Sequence, residues 1–288
     1  MTIRQYLYQH YQAKTAKCYL RDISIFLEHC PDASNFDYKG VLNYLELLRK
    51  KQKVSSINRI LQGIKKYYQY LVYQKFREDN PAASIHLKDY KSRLPVLPKK
   101  LLTGTEIDQA WDWILRKKSR YNLLKNRNIS MLCLLLYQGL RAGEFARLEL
   151  KDLNMLKSSI YLCSTHRSTA RTIALQGPQI LPFYHYLQDR QQLIQTSTTT
   201  LFVNKLGQEE TGETIHYLVK QLRPLFPSKK INPKIIRQSV IARQFELGHS
   251  LSQVQYFAGH HFPDSTERYN LTELQHLQQE IIKHHPLS

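Results

Sequence analysis

GLRAGEFARLELKDL, residues 139–153, overlaps the end of the apolar run MLCLLLYQGL, residues 131–140. That run falls well short of the ~18 apolar residues a membrane span needs, so it reads as a buried core helix. Arg141 stands just beyond the helix and Glu144 one turn later, which delivers two charges to the edge of a core. Downstream, SSIYLCSTHRSTARTIALQ (158–176) reads as two short strands, 160–163 and 171–175, around a Ser/Thr turn. A helix is expected near 179–190 and a short strand at LFVN (201–204). An amphipathic helix over 234–247 is stopped by Gly248, and another over 250–257 ends near Gly259. The Gln-rich tail is expected to form a further helix, 272–285. The whole is a mostly helical domain with one strand-rich patch.

Upstream of this domain the pattern changes. Tyr19, Leu20, Ile23, Phe26 and Leu27 form one helical stripe within 15–27, and VLNYLELLRKK (41–51) repeats it. The clearest stripe lies in 55–75, where Ile57, Ile60, Leu61, Ile64, Tyr67, Tyr68 and Leu71 face one way while Arg59, Lys65, Lys66 and Lys75 fall largely off it. These are the helices of a small all-α domain. Between the two parts, residues 79–107 lose periodicity: Pro81, Pro95 and Pro98 stop helices, and Lys88, Lys91, Arg93, Lys99 and Lys100 make the segment basic. It reads as an interdomain linker able to lie along a nucleic-acid backbone. Thr103 or Thr105 caps the helix that follows, with Glu106 in its first turn.

Composition narrows the partners. Forty-two Lys and Arg stand against 23 Asp and Glu in 288 residues, a net charge of +19 and a pI near 9.7. Both halves share the excess, as expected if both touch a polyanion, and such binding weakens steeply with salt. No run is long enough for a membrane span, and the N-terminus lacks an apolar signal core, so secretion is not expected. Cys18, Cys30, Cys133 and Cys163 show no metal-ligand spacing, which predicts reduced thiols, two of them in the core, and no metal site.

Three segments converge on one chemistry. GLRAGE supplies Arg141; PKIIRQSV (233–240) supplies Lys234 and Arg237, three apart and so on one helix face. AGHHFPDSTERYN (258–270) supplies His260 and, nine residues on, Tyr269. The set holds no carboxylate pair, no metal ligands and no glycine-rich phosphate loop. Two guanidiniums can clamp the non-bridging oxygens of a phosphodiester and take up charge in the transition state. A tyrosine becomes a nucleophile where nearby cations stabilise its phenolate. The arginines thus supply the positive charge that a metal supplies elsewhere, and no cofactor is expected.

With GLRAGE, KIIR, FAGH and ERYN in this order and with this His-to-Tyr spacing, the chain resembles the tyrosine recombinases, the phage integrase family. The resemblance implies a mainly α fold. Residues 1–90 would be a helical DNA core-binding (SAM-like) domain closed by DNPA (79–82), residues 91–104 a basic Pro-containing linker, and residues 105–288 a catalytic domain with a small β-sheet. It implies that Arg141 and Arg237 bind the scissile phosphate, that His260 hydrogen-bonds it, and that Tyr269 attacks to leave a 3′-phosphotyrosine and a free 5′-hydroxyl. Lys234 stands where most relatives have histidine. Double-stranded DNA is the implied partner, with a homotetramer on DNA whose tail helix packs on a neighbouring protomer. A cytoplasmic, nucleoid-associated protein of a mobile element is the implied setting.

Three departures accompany the resemblance. Gln238 follows Arg237 where many relatives have histidine, and Ala258 precedes the Gly-His pair where leucine is common. The hairpin turn STHRSTAR contains no lysine, although relatives place a lysine there as general acid for the 5′ leaving oxygen. His166, Arg167 and Lys234 are the substitutes, and His166 is chemically the aptest because imidazole gives up a proton near neutral pH. Each residue also has a structural alternative: Arg141 a capping residue or an ion pair with Glu144, Lys234 and Arg237 a solvated helix face, His260 a turn residue, Tyr269 core filler, His166 an exposed hairpin residue. Glu144 reads as orienting its neighbours, and His261 as a turn residue. Two other functions fit the same residues, a type IB topoisomerase-like nicking-closing enzyme and a catalytically inactive DNA-binding accessory protein.

Overall fold

The computed structural model describes residues 1–87, 96–194 and 198–270. The chain divides into two compact units, Met1–Arg93 and Leu94–Ser288.

The first unit contains α1 (Ile3–His10), α2 (Ala13–His29), α3 (Tyr38–Arg49) and α4 (Val54–Tyr73). The three expected stripes lie in α2, α3 and α4, and all seven stripe residues of α4 are buried. Helix α1 has no such signature, because only Tyr6 and Leu7 of its eight residues are buried. Its start is set by a cap instead: Thr2 accepts from the Gln5 backbone while the Gln5 side chain reaches back to Thr2. Off the α4 stripe, Arg59 pairs with Asp22, a carboxylate buried in α2. The core is aromatic, with Phe26 and Tyr44 ring centroids 4.8 Å apart. Tyr68 sits fully buried and donates its hydroxyl to the Ala33 carbonyl at 2.7 Å. Tyr68→Phe is expected to lower stability by about 1–2 kcal/mol, since it strands a buried acceptor. A urea titration checks this, and an unchanged midpoint would mean that the carbonyl finds another donor.

The second unit begins inside the segment expected as a linker. Residues 88–95 lie outside the described residues, but from Val96 onward the chain is packed. Val96 and Leu101 join a small core cluster, Val96 donates to the Arg268 carbonyl at 3.1 Å, and the Leu102 N–H donates to the Ser239 hydroxyl at 2.8 Å. The prolines and lysines of this stretch look like a linker, whereas Val96, Leu101 and Leu102 are core and Leu97 is exposed. Thr103 then caps α5 (Gly104–Arg116) in a reciprocal arrangement with Glu106.

Helix α6 (Lys125–Gln138) is the centre of the unit, buried without interruption from Ile129 to Leu136. After it come α7 (Ala142–Phe145) and a three-stranded antiparallel sheet, β1 (Leu153–Asn154), β2 (Ser159–Leu162) and β3 (Arg171–Ala174), in that order. Ile160 pairs with Ile173 on the core-facing side. The hairpin between β2 and β3 closes at Thr165 and Ser168, whose backbones exchange hydrogen bonds, so that His166 and Arg167 form its tip. Helices α8 (Gly177–Leu193), α9 (Thr214–Lys220), α10 (Pro233–Glu246), α11 (Leu251–Ala258) and α12 (Asp264–Glu267) complete the described part. The tail helix expected at 272–285 lies outside it.

LFVN (201–204) is not a strand, although Val203 makes an isolated bridge to Glu209. Its backbone is paired piecemeal: the Leu201 N–H donates to the Leu148 carbonyl at 2.7 Å and the Phe202 carbonyl accepts from the Glu210 N–H at 3.0 Å, while side chains of α8 take other groups, the Leu201 carbonyl accepting from the Tyr186 hydroxyl at 2.8 Å and from Arg190 Nε at 3.1 Å and the Val203 N–H donating to Tyr186 at 3.1 Å. Leu201, Phe202 and Val203 are therefore buried in succession, without the alternation of a sheet. The four thiols are free, but only Cys133 is fully buried, where two core cysteines were expected. Among the described residues no helix is long and apolar enough to cross a membrane.

Candidate active site

Each of the three motifs is placed by a local backbone device. Helix α6 ends at Gly139 in the left-handed region, φ +61°, which turns the chain sharply so that Arg141 starts α7. Glu144 accepts the Arg141 N–H at 2.8 Å. Asn232 caps α10, accepting from the Ile235 N–H at 3.0 Å, with Pro233 in the first turn, so that Arg237 falls on the buried face. Helix α11 ends at Gly259, again left-handed at φ +61°, and His260 follows immediately.

These turns bring four side chains together. Arg237, only 7 % exposed, donates to the Gly139 carbonyl at 2.6 Å and to the Ala258 carbonyl at 2.5 Å. It thereby ties the first motif to the third. Its Nη2 lies 3.5 Å from His260 Nε2. The His260 ring is held by Thr266, Nδ1 to Oγ1 at 2.8 Å, and lies nearly parallel to the Tyr269 ring at 6.0 Å. Tyr269 is buried against Val96, Leu101, Ile241, Ala242, Val254 and Ala258. Arg141, half-buried, donates to the Arg167 carbonyl at 2.5 Å, which brings the tip of the β2–β3 hairpin to the same place.

The electrostatics follow from crowding cations into a partly dry site. Burial pushes Arg237 down to about 9, with Arg141 next in effect and Glu144 opposing, so its charge at pH 7 is retained. Arg141 is lowered too, by burial first and against the pull of Glu144. His260 is pushed down to about 3 by burial and then by Arg237, Arg141 and Arg171, so it is neutral at pH 7. Arg237 has only donors, and a neutral ring that turns Nε2 towards it carries its proton on Nδ1, facing the Thr266 oxygen.

A pH dependence follows from His260. Between pH 6.5 and about 3 the unfolded chain binds a proton at this histidine that the folded chain refuses. Its contribution to stability is thus fully present above 6.5 and falls as the pH drops through that window. His260→Asn is expected to flatten part of the decline between pH 6.5 and 4 in urea titrations. Identical wild-type and variant profiles would show that His260 titrates normally.

Neither of the remaining expected residues makes a hydrogen bond to these four side chains. Lys234 is exposed in the first turn of α10 and makes no hydrogen bond or ion pair among the described residues. His166 is exposed at the hairpin tip, next to the Arg167 carbonyl that Arg141 holds. Gln238 is buried, and Ala258 enters through its carbonyl, which any residue would supply. One site residue went unread in the sequence. Arg171, fully buried at the start of β3, grips Glu144 with both terminal nitrogens, at 3.0 and 3.2 Å. Strand alternation held the signal, for Arg171 shares the inward face of β3 with Ile173. Among the described residues no group of His, Cys, Asp and Glu is arranged to hold a metal ion.

The model of the phage integrase family matches residues 101–276, more than half of the chain. The chain belongs to the phage integrase family. Tyrosine recombinase XerC of Lacticaseibacillus casei is 24 % identical over 290 residues, covering 96 % of this chain and 94 % of the relative. XerC of Anoxybacillus flavithermus is 25 % identical over 289 residues, covering 96 % and 93 %. Among solved structures, XerH site-specific recombinase bound to difH substrate in a pre-cleavage complex superposes with a TM-score of 0.71 at 18 % identity, over 90 % of this chain and 78 % of that one. The Tn1549 transposon integrase in complex with transposon right end DNA gives 0.67 at 18 % identity, over 98 % and 100 %. For this integrase-family chain, the three-stranded sheet and the helices around it are those of a tyrosine-recombinase catalytic fold.

Proposed function

We propose that the chain is a site-specific DNA recombinase that cuts and rejoins strands through a 3′-phosphotyrosyl bond. The observation that carries this reading is the meeting of Arg141, Arg237, His260 and Tyr269, four groups far apart in sequence, in one cationic pocket with a buried phenol. In the proposed reaction Arg141 and Arg237 bind the non-bridging oxygens of the scissile phosphate. Arg141 does so by releasing the Arg167 carbonyl, and His260 adds a hydrogen bond to the phosphate. The Tyr269 oxygen loses its proton to solvent and attacks phosphorus; the Tyr–P bond forms and the bond from phosphorus to O5′ breaks. Guanidiniums aimed at the developing charge stabilise this step without reorganising. The leaving O5′ takes a proton from a general acid. His166 is favoured, because it stands at the hairpin tip next to the Arg167 carbonyl against which Arg141 rests in the DNA-free chain; Lys234 is the other candidate. Rejoining is the reverse attack by a 5′-hydroxyl, and no nucleotide cofactor enters because the phosphotyrosyl bond retains the energy of the phosphodiester.

Residues 1–90 take the DNA core-binding role and residues 105–288 the catalytic one. The net charge of +19 supports a polyanionic partner for both. Two duplex sites exchanging strands need four active sites, hence a tetramer on DNA, in a protein that works on the nucleoid of a cell and serves a mobile element.

A duplex nicked just beyond the scissile phosphate tests the reading, since the short fragment diffuses away and traps the intermediate. A protease-sensitive covalent adduct is expected, with the nucleotide remnant on the peptide that contains Tyr269 by mass spectrometry. Binding without any adduct would instead identify a DNA-binding accessory protein. Supercoil relaxation without exchange between two labelled duplexes would identify a topoisomerase.

A further inference from the structure

Among the described residues Arg171 is the largest fully buried side chain, and the proposed reaction makes no use of it. Its guanidinium bridges the first and third motifs. Nη1 and Nη2 bind the two oxygens of Glu144 at 3.0 and 3.2 Å, and Glu144 Oε2 also receives the Arg141 N–H. Nε donates to the Phe257 carbonyl at 2.9 Å, in the last turn of α11. The hairpin strand that carries Arg171 is stitched to the same turn, Thr169 N–H to the Gly259 carbonyl at 3.3 Å and Thr172 N–H to the Tyr256 hydroxyl at 3.1 Å. The guanidinium also fills the space beside Gly259, where a Cβ would lie 2.4 Å from Nη1 and 2.9 Å from Cζ.

Stability alone is a poor reason for this pair. A buried ion pair is often no better for folding than apolar side chains of similar volume. Here it adds a third guanidinium to a pocket that already holds Arg141 and Arg237. What the pair does supply is geometry: two parallel hydrogen bonds fix a carboxylate in plane and direction, and that carboxylate holds the backbone of Arg141.

Resting on the recombinase reading, we propose that Arg171 is a positioning residue for DNA cleavage: by gripping Glu144 and the Phe257 carbonyl together it sets Arg141 and His260 in register around one phosphate, and at position 259, already left-handed, this guanidinium takes the place a side chain would fill. Arg171 touches neither phosphate nor sugar and acts through Glu144 and the end of α11.

The test measures single-turnover cleavage of the nicked duplex against DNA concentration for the full chain, alongside thermal midpoints. The double variant Arg171→Met, Glu144→Met replaces the pair with apolar side chains. It is expected to fold and to reach half-saturation near the wild-type DNA concentration, while its saturating rate falls about 10²-fold, the effect of a misplacement near 1 Å. A wild-type saturating rate would overturn the proposal. Gly259→Ala and Gly248→Ala keep it decidable should the double variant not fold. Both put a Cβ on a left-handed residue, φ +61° and +83°, but nothing lies within 4 Å of the one at Gly248. Gly259→Ala alone should slow saturated cleavage, and equal rates in the two would sink the idea. Wild-type protein that forms no adduct ends the recombinase reading itself; wild-type cleavage with undiminished variants ends only the role of Arg171.

Discussion

Tyr269→Phe is expected to bind DNA like the wild type and to form no covalent adduct. The phenyl ring keeps its place among Val96, Leu101, Ile241, Ala242, Val254 and Ala258, so the small cluster at the start of the second unit stays filled. Only the oxygen that makes the bond to phosphorus is gone. Removing the nucleophile of a covalent mechanism costs on the order of 10⁶-fold in rate where it has been measured elsewhere, and here it leaves no route to the intermediate at all. The measurement is adduct yield on the nicked duplex over a long incubation, with binding followed in parallel. An adduct that persists at wild-type yield would mean another side chain attacks.

Arg141→Ala and Arg237→Ala are each expected to lower saturated cleavage by about 10²–10³-fold, the effect of deleting one donor from a preorganised anion site. The two should separate in stability. Arg141 is half-buried and its one carbonyl partner, Arg167, lies at an exposed hairpin tip, where water replaces the lost donor. Arg237 is buried and satisfies the carbonyls of Gly139 and Ala258. Losing it strands two acceptors, at about 1–3 kcal/mol for each one left unpaired. Arg141→Ala should therefore unfold near the wild-type urea midpoint and Arg237→Ala well below it, while both still bind DNA measurably. Equal midpoints would contradict the packing role of Arg237, and complete loss of binding in both would mean that the arginines hold DNA without acting on the transition state.

Local pattern carried much of this protein. Helices α2 to α4 were legible because seven apolar residues of α4 recur at helical spacing, and Gly139, Gly248 and Gly259 mark helix ends because left-handed backbone favours glycine. The β2–β3 hairpin was legible from its Ser/Thr turn. Where that reading missed, the missing term was a partner distant in sequence. LFVN has the composition of a strand, but Tyr186 and Arg190 of α8 take the Leu201 carbonyl and the Val203 N–H, and its backbone bonds to Leu148, Gln208 and Glu210 form no continuous ladder. Val96 and Leu101 sit among prolines and lysines, and only the packing of α10 and α11 around them makes them core.

The order and spacing of GLRAGE, KIIR, FAGH and ERYN were set by sequence alone, and with them the family and the residue types offered to a phosphate. Tertiary structure alone decided that His260 is neutral, that Arg237 doubles as a tie between two carbonyls, and that Arg171 stands behind Glu144. Periodicity and turn chemistry are properties of neighbouring residues. Desolvation, and the pairing of a buried charge, exist only once segments far apart along the chain have closed around the same point.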